Sequence, residues 1–264
     1  MKSYIYGFIL NIQFYSMIPL SLEVPIEKKN IERSVQTLPL FGLLQGAIYA
    51  GFLYILLAWT PLSPFAAAFL LWLLIIVLTG GLHLDAWIDT SDAYFSYQDK
   101  EKRLRIMKDS RIGAFGVLSL IVLLAARFLF IYEIILMADM YTYFFVLVIP
   151  YLGKNIMGMM LTNFPLARED GMAYFYSKAT GPKTLWIYPV YVLFLLIGSV
   201  LLGLESLLLL FIMLSVTYLL YIFYRRKSLK WFGGITGDVT GAAGEGVEIS
   251  LWMTVWLFHY YVMG

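Results

Sequence analysis

Residues 65–95 read FAAAFLLWLLIIVLTGGLHLDAWIDTSDAYF. The first half is an uncharged apolar run, the second carries three aspartates, and Gly80 and Gly81 join them. The run from Phe65 to Leu82 is close to the ~20 residues a helix needs to cross ~30 Å of hydrocarbon. Lipid offers the backbone no hydrogen-bond partner, so such a run must close its own bonds as a helix. The aspartates therefore sit where a membrane span ends.

Six further segments have the same character: Leu40–Ala58, Ile112–Leu136, Tyr141–Leu161, Leu185–Gly203, Ser206–Tyr224 and Gly241–Val262. The expected fold is all-α, a polytopic bundle of about seven spans forming one domain over residues 1–264. At the amino terminus the apolar stretch Tyr4–Leu20 is interrupted by Asn11, Gln13 and Ser16 and ends near Pro19. No small-residue cleavage site follows, so it reads as an interfacial or re-entrant helix rather than a secretory signal.

Composition agrees: the chain is 61% hydrophobic and only 14% charged, with a net charge of +2. That balance excludes an ordinary soluble domain and argues against a nucleic-acid partner. Cysteine is absent, so thiolate zinc sites and iron–sulfur clusters are excluded and any metal must bind through oxygen or imidazole. The lipid bilayer is the expected surrounding, and self-association into a homo-oligomer is compatible with such a bundle.

The basic residues alternate from loop to loop. The connections at 58–65, 138–141 and 204–205 hold no Lys or Arg, whereas the opposite set holds Lys28, Lys29 and Arg33, then Lys100 to Arg111, then Arg168, Lys178 and Lys183, then Arg225 to Lys230. The positive-inside rule makes the basic loops cytoplasmic in a cell-membrane protein. Acids lying among those bases need another explanation.

Asp85, Asp89 and Asp92 are spaced four and three apart, within about 40° of one helix face. Three like charges in a stripe repel, and a bound cation reverses that cost. Hard divalent ions take oxygen ligands, and magnesium keeps waters and substrate phosphates beside one or two carboxylates. His83 is a candidate ligand or phosphate donor beside the stripe. In the basic loop that follows, Lys108 and Arg111 lie nearest the small-residue start of the next span, where cations would share the charge of a pyrophosphate.

A second acidic cluster, GGITGDVTGAAGEGVEISLW at 233–252, brings Asp238 and Glu245 to one face with Glu248 a turn further on. Gly237, Gly241 and Gly244 let another helix approach it closely. Arg127 and Lys154 fall near mid-span, where burial is costly and pairing with the acids is expected. The segment FPLAREDGMAYF carries Arg168 and Asp170 in a turn.

Taken in order, GGLHLDAWIDTSDAYF, RLRIMKDSRIGAFGV, PLAREDGM, GGITGDVTGAAGEGVE and the opening IQFYSMIPL resemble the blocks of the cobalamin synthase (adenosylcobinamide-GDP ribazoletransferase) family over nearly the whole chain. The resemblance implies a magnesium-dependent enzyme on the cytoplasmic face. It would transfer the cobinamide phosphate of adenosylcobinamide-GDP to a ribose hydroxyl of alpha-ribazole, or of its 5'-phosphate, and release GMP. It implies metal ligands at Asp85, Asp89, Asp92, Asp238 and Glu245, with Asp92 the preferred proton acceptor. The residues themselves, by charge and position, point to substrate contacts at His83, Lys108, Arg111, Lys154, Arg168, Asp170 and Glu248. Ala86 and Trp87 stand where the family is expected to have a glycine and a smaller residue, and Met17 stands in place of an arginine. Three other readings remain: a CDP-alcohol phosphotransferase-type enzyme, a cation transporter, and a structural membrane subunit. The transporter lacks an inverted repeat, and the structural subunit leaves the carboxylate stripe unexplained.

Overall fold

The computed structural model describes residues 2–263. Its helices in chain order are α1 (Lys2–Tyr15), α2 (Lys28–Trp59), α3 (Pro64–Thr79), α4 (Leu82–Phe95), α5 (Lys100–Ile106), α6 (Ala114–Leu136), α7 (Met140–Asn163), α8 (Gly171–Ala179), α9 (Tyr188–Leu202), α10 (Leu204–Phe232) and α11 (Gly237–Phe258). A 3-10 turn at Thr184–Ile187 leads into α9, and a π-helical turn, His259–Met263, follows α11. No strand forms among the described residues beyond one isolated bridge.

Five helices are long and apolar enough to cross a membrane: α2, α6, α7, α9 with its preceding turn, and α10. The pair α3 and α4 counts as a sixth if its arms are one broken span. The seventh expected span coincides with α11, which has the length but not the composition. Lipid contact is avoided there by burial: residues from Val239 to Glu248 are enclosed by neighbouring helices, and α11 packs on α4, α6, α7 and α10. Large apolar side chains on α6, α9 and α10, such as Val122, Phe194 and Leu219, point outward instead.

Two of the differences from the sequence expectation shape the mouth of the bundle. The first span starts at Lys28 rather than Leu40, because its polar first turns are covered by α1. The Asn11 amide donates to the Ser34 carbonyl at 2.8 Å and to Thr37 Oγ1 at 3.1 Å, and the Arg33 guanidinium lies over the Tyr4 ring. At 14 residues α1 rises only ~21 Å, short of a crossing, as an interfacial or re-entrant helix should. The second difference is a break within the opening motif. Gly80 and Gly81 adopt φ of 64° and 74°, left-handed values that cost glycine little, and the chain turns 85° between α3 and α4. If α3 crosses the bilayer, α4 runs across that direction at the mouth of the bundle. Met17 braces this hinge: its amide donates to the Leu78 carbonyl at 2.9 Å and its side chain lies against Gly80.

Candidate active site at the basic end of the bundle

The α4 stripe and the start of α11 meet because both carry small residues at the crossing. Ala86 packs against Gly241, where a Cβ would stand 2.8 Å from the alanine methyl. Thr236 caps α11 by accepting from the Val239 amide at 3.1 Å, which places Asp238 in the first helical turn. Between the two helices lies a cavity of about 110 Å³ whose walls include Asp85, His83, Asp238, Tyr15 and Tyr176. His83 is 4% exposed, and its Nε2 has no hydrogen-bond partner. Pockets that enclose whole ligands are roughly 300–1,000 Å³, so this one takes part of a larger molecule.

Asp89, on the same stripe, is half-buried. Burial, and then the charges of Asp85, Asp238 and Asp92, push its carboxyl from 3.8 up to about 6. Acids from α4 and α11 thus sense one another across the mouth. No three acid or histidine side chains converge into a ready-made cation cage among the described residues.

Cations reach the same mouth from two loops. The Leu166–Ile235 bridge ties the segment after α7 to the segment before α11: the Ala167 amide donates to the Ile235 carbonyl at 3.0 Å and the Ile235 amide to the Pro165 carbonyl at 2.9 Å. This brings Arg168 Nη2 to 3.7 Å from Asp238 Oδ2. Arg168 Nε lies 2.9 Å from Asp170 Oδ1 but is poorly aligned, so its Nε and Nη1 both lack hydrogen-bond partners. Lys108 Nζ donates to Asp170 Oδ2 at 2.6 Å, and this ammonium holds Asp170 below the usual carboxylate range. Lys108, Asp170, Arg168 and Asp238 therefore form one chain of alternating charge across three separate sequence segments.

Five of the expected site residues are redirected by the geometry. Asp92, the preferred proton acceptor, has both oxygens occupied: Oδ2 accepts from the Gly113 amide at 2.6 Å and Oδ1 from the Gly116 amide at 2.7 Å. It holds the amino-terminal amides of α6, which have no partner within their own helix. A Cβ on Gly113 or Gly116 would collide with this carboxylate. Glu245 and Glu248, expected as metal ligand and substrate contact, lie two to three turns deeper along α11. There Glu245 pairs with Arg127, and Lys154 Nζ lies 3.4 Å from Glu248 Oε1, all four side chains almost wholly buried. Lys154 thus pairs inward rather than facing the mouth. Arg111 is absent from the cavity wall; it is exposed, borders a separate pocket with Asp92, and pairs with Asp109, whose carboxyl it pulls down to about 2.

Sequence reasoning missed Tyr15 and Tyr176, whose aromatic character reads as core, and Thr240, which lines the same cavity. Their only signal is position relative to α4 and α11, which the spacing of one segment does not carry.

The family pattern described as Cobalamin-5-phosphate synthase matches residues 7–256. The adenosylcobinamide-GDP ribazoletransferase of Geobacillus sp. (strain WCH70) is 38% identical over 270 residues, spanning the whole of both chains. Its counterpart in Geobacillus thermodenitrificans (strain NG80-2) is 40% identical over 271 residues and 98% of each chain. One in Clostridium botulinum (strain Okra / Type B1) is 34% identical over 252 residues, covering 95% of this chain and 97% of the relative. No solved structure matches the chain. An acidic helix, a basic loop pair and a glycine-rich acidic helix meet here at one mouth, and they fall within a match that runs almost from end to end: the chain belongs to the cobalamin-5-phosphate synthase family.

Proposed function

We propose that the chain is an adenosylcobinamide-GDP ribazoletransferase that works at the basic, cytoplasmic end of the bundle. The observation that carries the residue assignment is the cavity shared by Asp85, His83 and Asp238, with the Lys108–Asp170–Arg168 chain beside it. In the reaction a hydroxyl of alpha-ribazole, or of its 5'-phosphate, forms a new bond to the cobinamide-linked phosphorus. The bond from that phosphorus to the bridging oxygen breaks, the bridging oxygen leaves with GMP, and the hydroxyl gives up its proton.

Transfer of this kind asks a protein for positioning and charge neutralisation. Arg168, whose Nη2 stands toward Asp238, and Lys108, which can exchange Asp170 for a phosphate oxygen, would together orient the pyrophosphate. Asp85 and Asp238 bound the cavity from opposite helices. A hard divalent ion fits this donor set, since magnesium is held by one or two carboxylates together with substrate phosphates rather than by a closed protein cage. Asp85, Asp89 and Asp238 are the residues that would hold it, and when bound it would draw charge from the pyrophosphate. Asp92 fixes the start of α6 against α4 and so keeps the stripe in register.

The test is nucleotide release by the full chain reconstituted in liposomes. GMP should appear from adenosylcobinamide-GDP in equal amount to the cobalamin product, only when alpha-ribazole or its 5'-phosphate is present. CMP release from a CDP-alcohol without GMP release would reject the assignment in favour of the rival phosphotransferase.

A further inference from the structure

On α4, Trp87, Thr90 and Tyr94 lie about 180° around the helix from the carboxylate stripe. They floor a groove of about 770 Å³, roughly seven times the volume of the acidic cavity. Its sides are Leu118 and Val122 of α6 and Phe223 and Trp231 of α10. These two long apolar helices share no packed seam, so the gap between them opens sideways to the hydrocarbon, with α4 and α11 behind it.

Hydrocarbon alone does not satisfy this groove. At the basic end of α10, Lys227 takes no carboxylate partner among the described residues; its ammonium stands 4.6 Å from the Trp231 ring centroid and 5.5 Å from that of Phe223. Arg225, Arg226 and Lys230 flank it in sequence and are exposed. The groove therefore combines apolar walls with a cation at the basic end of α10, which matches an acyl chain and a phosphate.

We propose that this groove binds one anionic glycerophospholipid. Its acyl chain lies in the α6–α10 gap and its phosphate meets Lys227. A lipid seated there backs the helix whose far face carries Asp85 and Asp89.

The test uses the full chain in delipidated detergent micelles, titrated with phosphatidylglycerol or phosphatidylcholine carrying brominated acyl chains, with tryptophan emission as readout. Quenching by phosphatidylglycerol should saturate, with a half-saturation about fivefold below that of phosphatidylcholine, the gain expected for one cation near an anionic headgroup. Trp87→Phe should remove a large part of the quenched signal. Lys227→Gln should erase the preference and Lys227→Arg should keep it, which separates loss of charge from loss of fold. Equal, non-saturating quenching by both lipids would overturn the proposal, as would relief of quenching by alpha-ribazole, which would assign the groove to substrate.

Discussion

Asp85, Asp89 and Asp92 are one helical stripe with three different surroundings. Asp85 is exposed at the cavity, so Asp85→Asn should abolish GMP release while leaving insertion intact and without lowering the melting temperature. Asp92 accepts two α6 amides, and an asparagine would turn a donor toward one of them. Asp92→Asn should therefore cost about 1–3 kcal/mol of stability as well as activity, read as a lowered melting temperature by intrinsic fluorescence. Asp89 has a folded-state pKa of about 6, above its ordinary 3.8, so the folded chain binds the extra proton and loses stability as pH rises through that interval. Asp89→Asn removes this loss. Without divalent ions, its melting temperature should exceed that of the unaltered chain at pH 7.5, with the difference shrinking as pH falls toward 4. A difference independent of pH would refute the raised carboxyl of Asp89, which burial and then the neighbouring carboxylates produce.

Elements matter through the joints between them. The Arg127–Glu245 pair ties α6 to α11 inside the bundle. Glu245→Gln leaves a buried guanidinium without its counter-charge and should cost about 3–5 kcal/mol, whereas Arg127→Met with Glu245→Met should recover most of that. Recovery of activity together with stability in the double variant would mark the pair as a structural strut; recovery of stability alone would mean that Glu245 contributes more to the site than its burial suggests. The Leu166–Ile235 bridge sets Arg168 beside Asp238, and Gly234 permits it, since a Cβ there would strike the Pro165–Leu166 backbone. Gly234→Ala should raise the KM for adenosylcobinamide-GDP more than it lowers kcat, because it displaces a binding arm and leaves Asp85 in place. Much of this was legible in the sequence as inventory: the stripe, the glycine-rich acidic helix and the arginine turn are all visible as motifs. Their junctions were not. Spacing reports which side chains share one helix face, but the partner of Asp92 is a backbone twenty-one residues on, and that of Arg127 lies on the last helix.

At the scale of the whole molecule, the alternation of basic and uncharged loops and the helix ends describe the same two faces. Single cysteines can be read cleanly in a chain that has none of its own. Cysteines replacing Ser63, Asp139 and Glu205 should react with an impermeant reagent from outside intact cells, and those replacing Lys102 and Lys178 should not. The bundle and its approximate spans followed from apolar run length, which is a property of single segments. The break at Gly80 and Gly81, the docking of α1 and the enclosure of α11 did not, because each depends on what another helix covers. That enclosure is what lets α11 bring Asp238 opposite Asp85, and the central claim is that these two carboxylates serve one reaction from two helices. The most direct measurement is the magnesium dependence of single-turnover GMP release by the unaltered chain and by Asp238→Asn. A lower rate and a magnesium requirement displaced to higher concentration are expected in the variant; an unchanged rate with an unchanged magnesium requirement would show that Asp238 and Asp85 do not share the reaction.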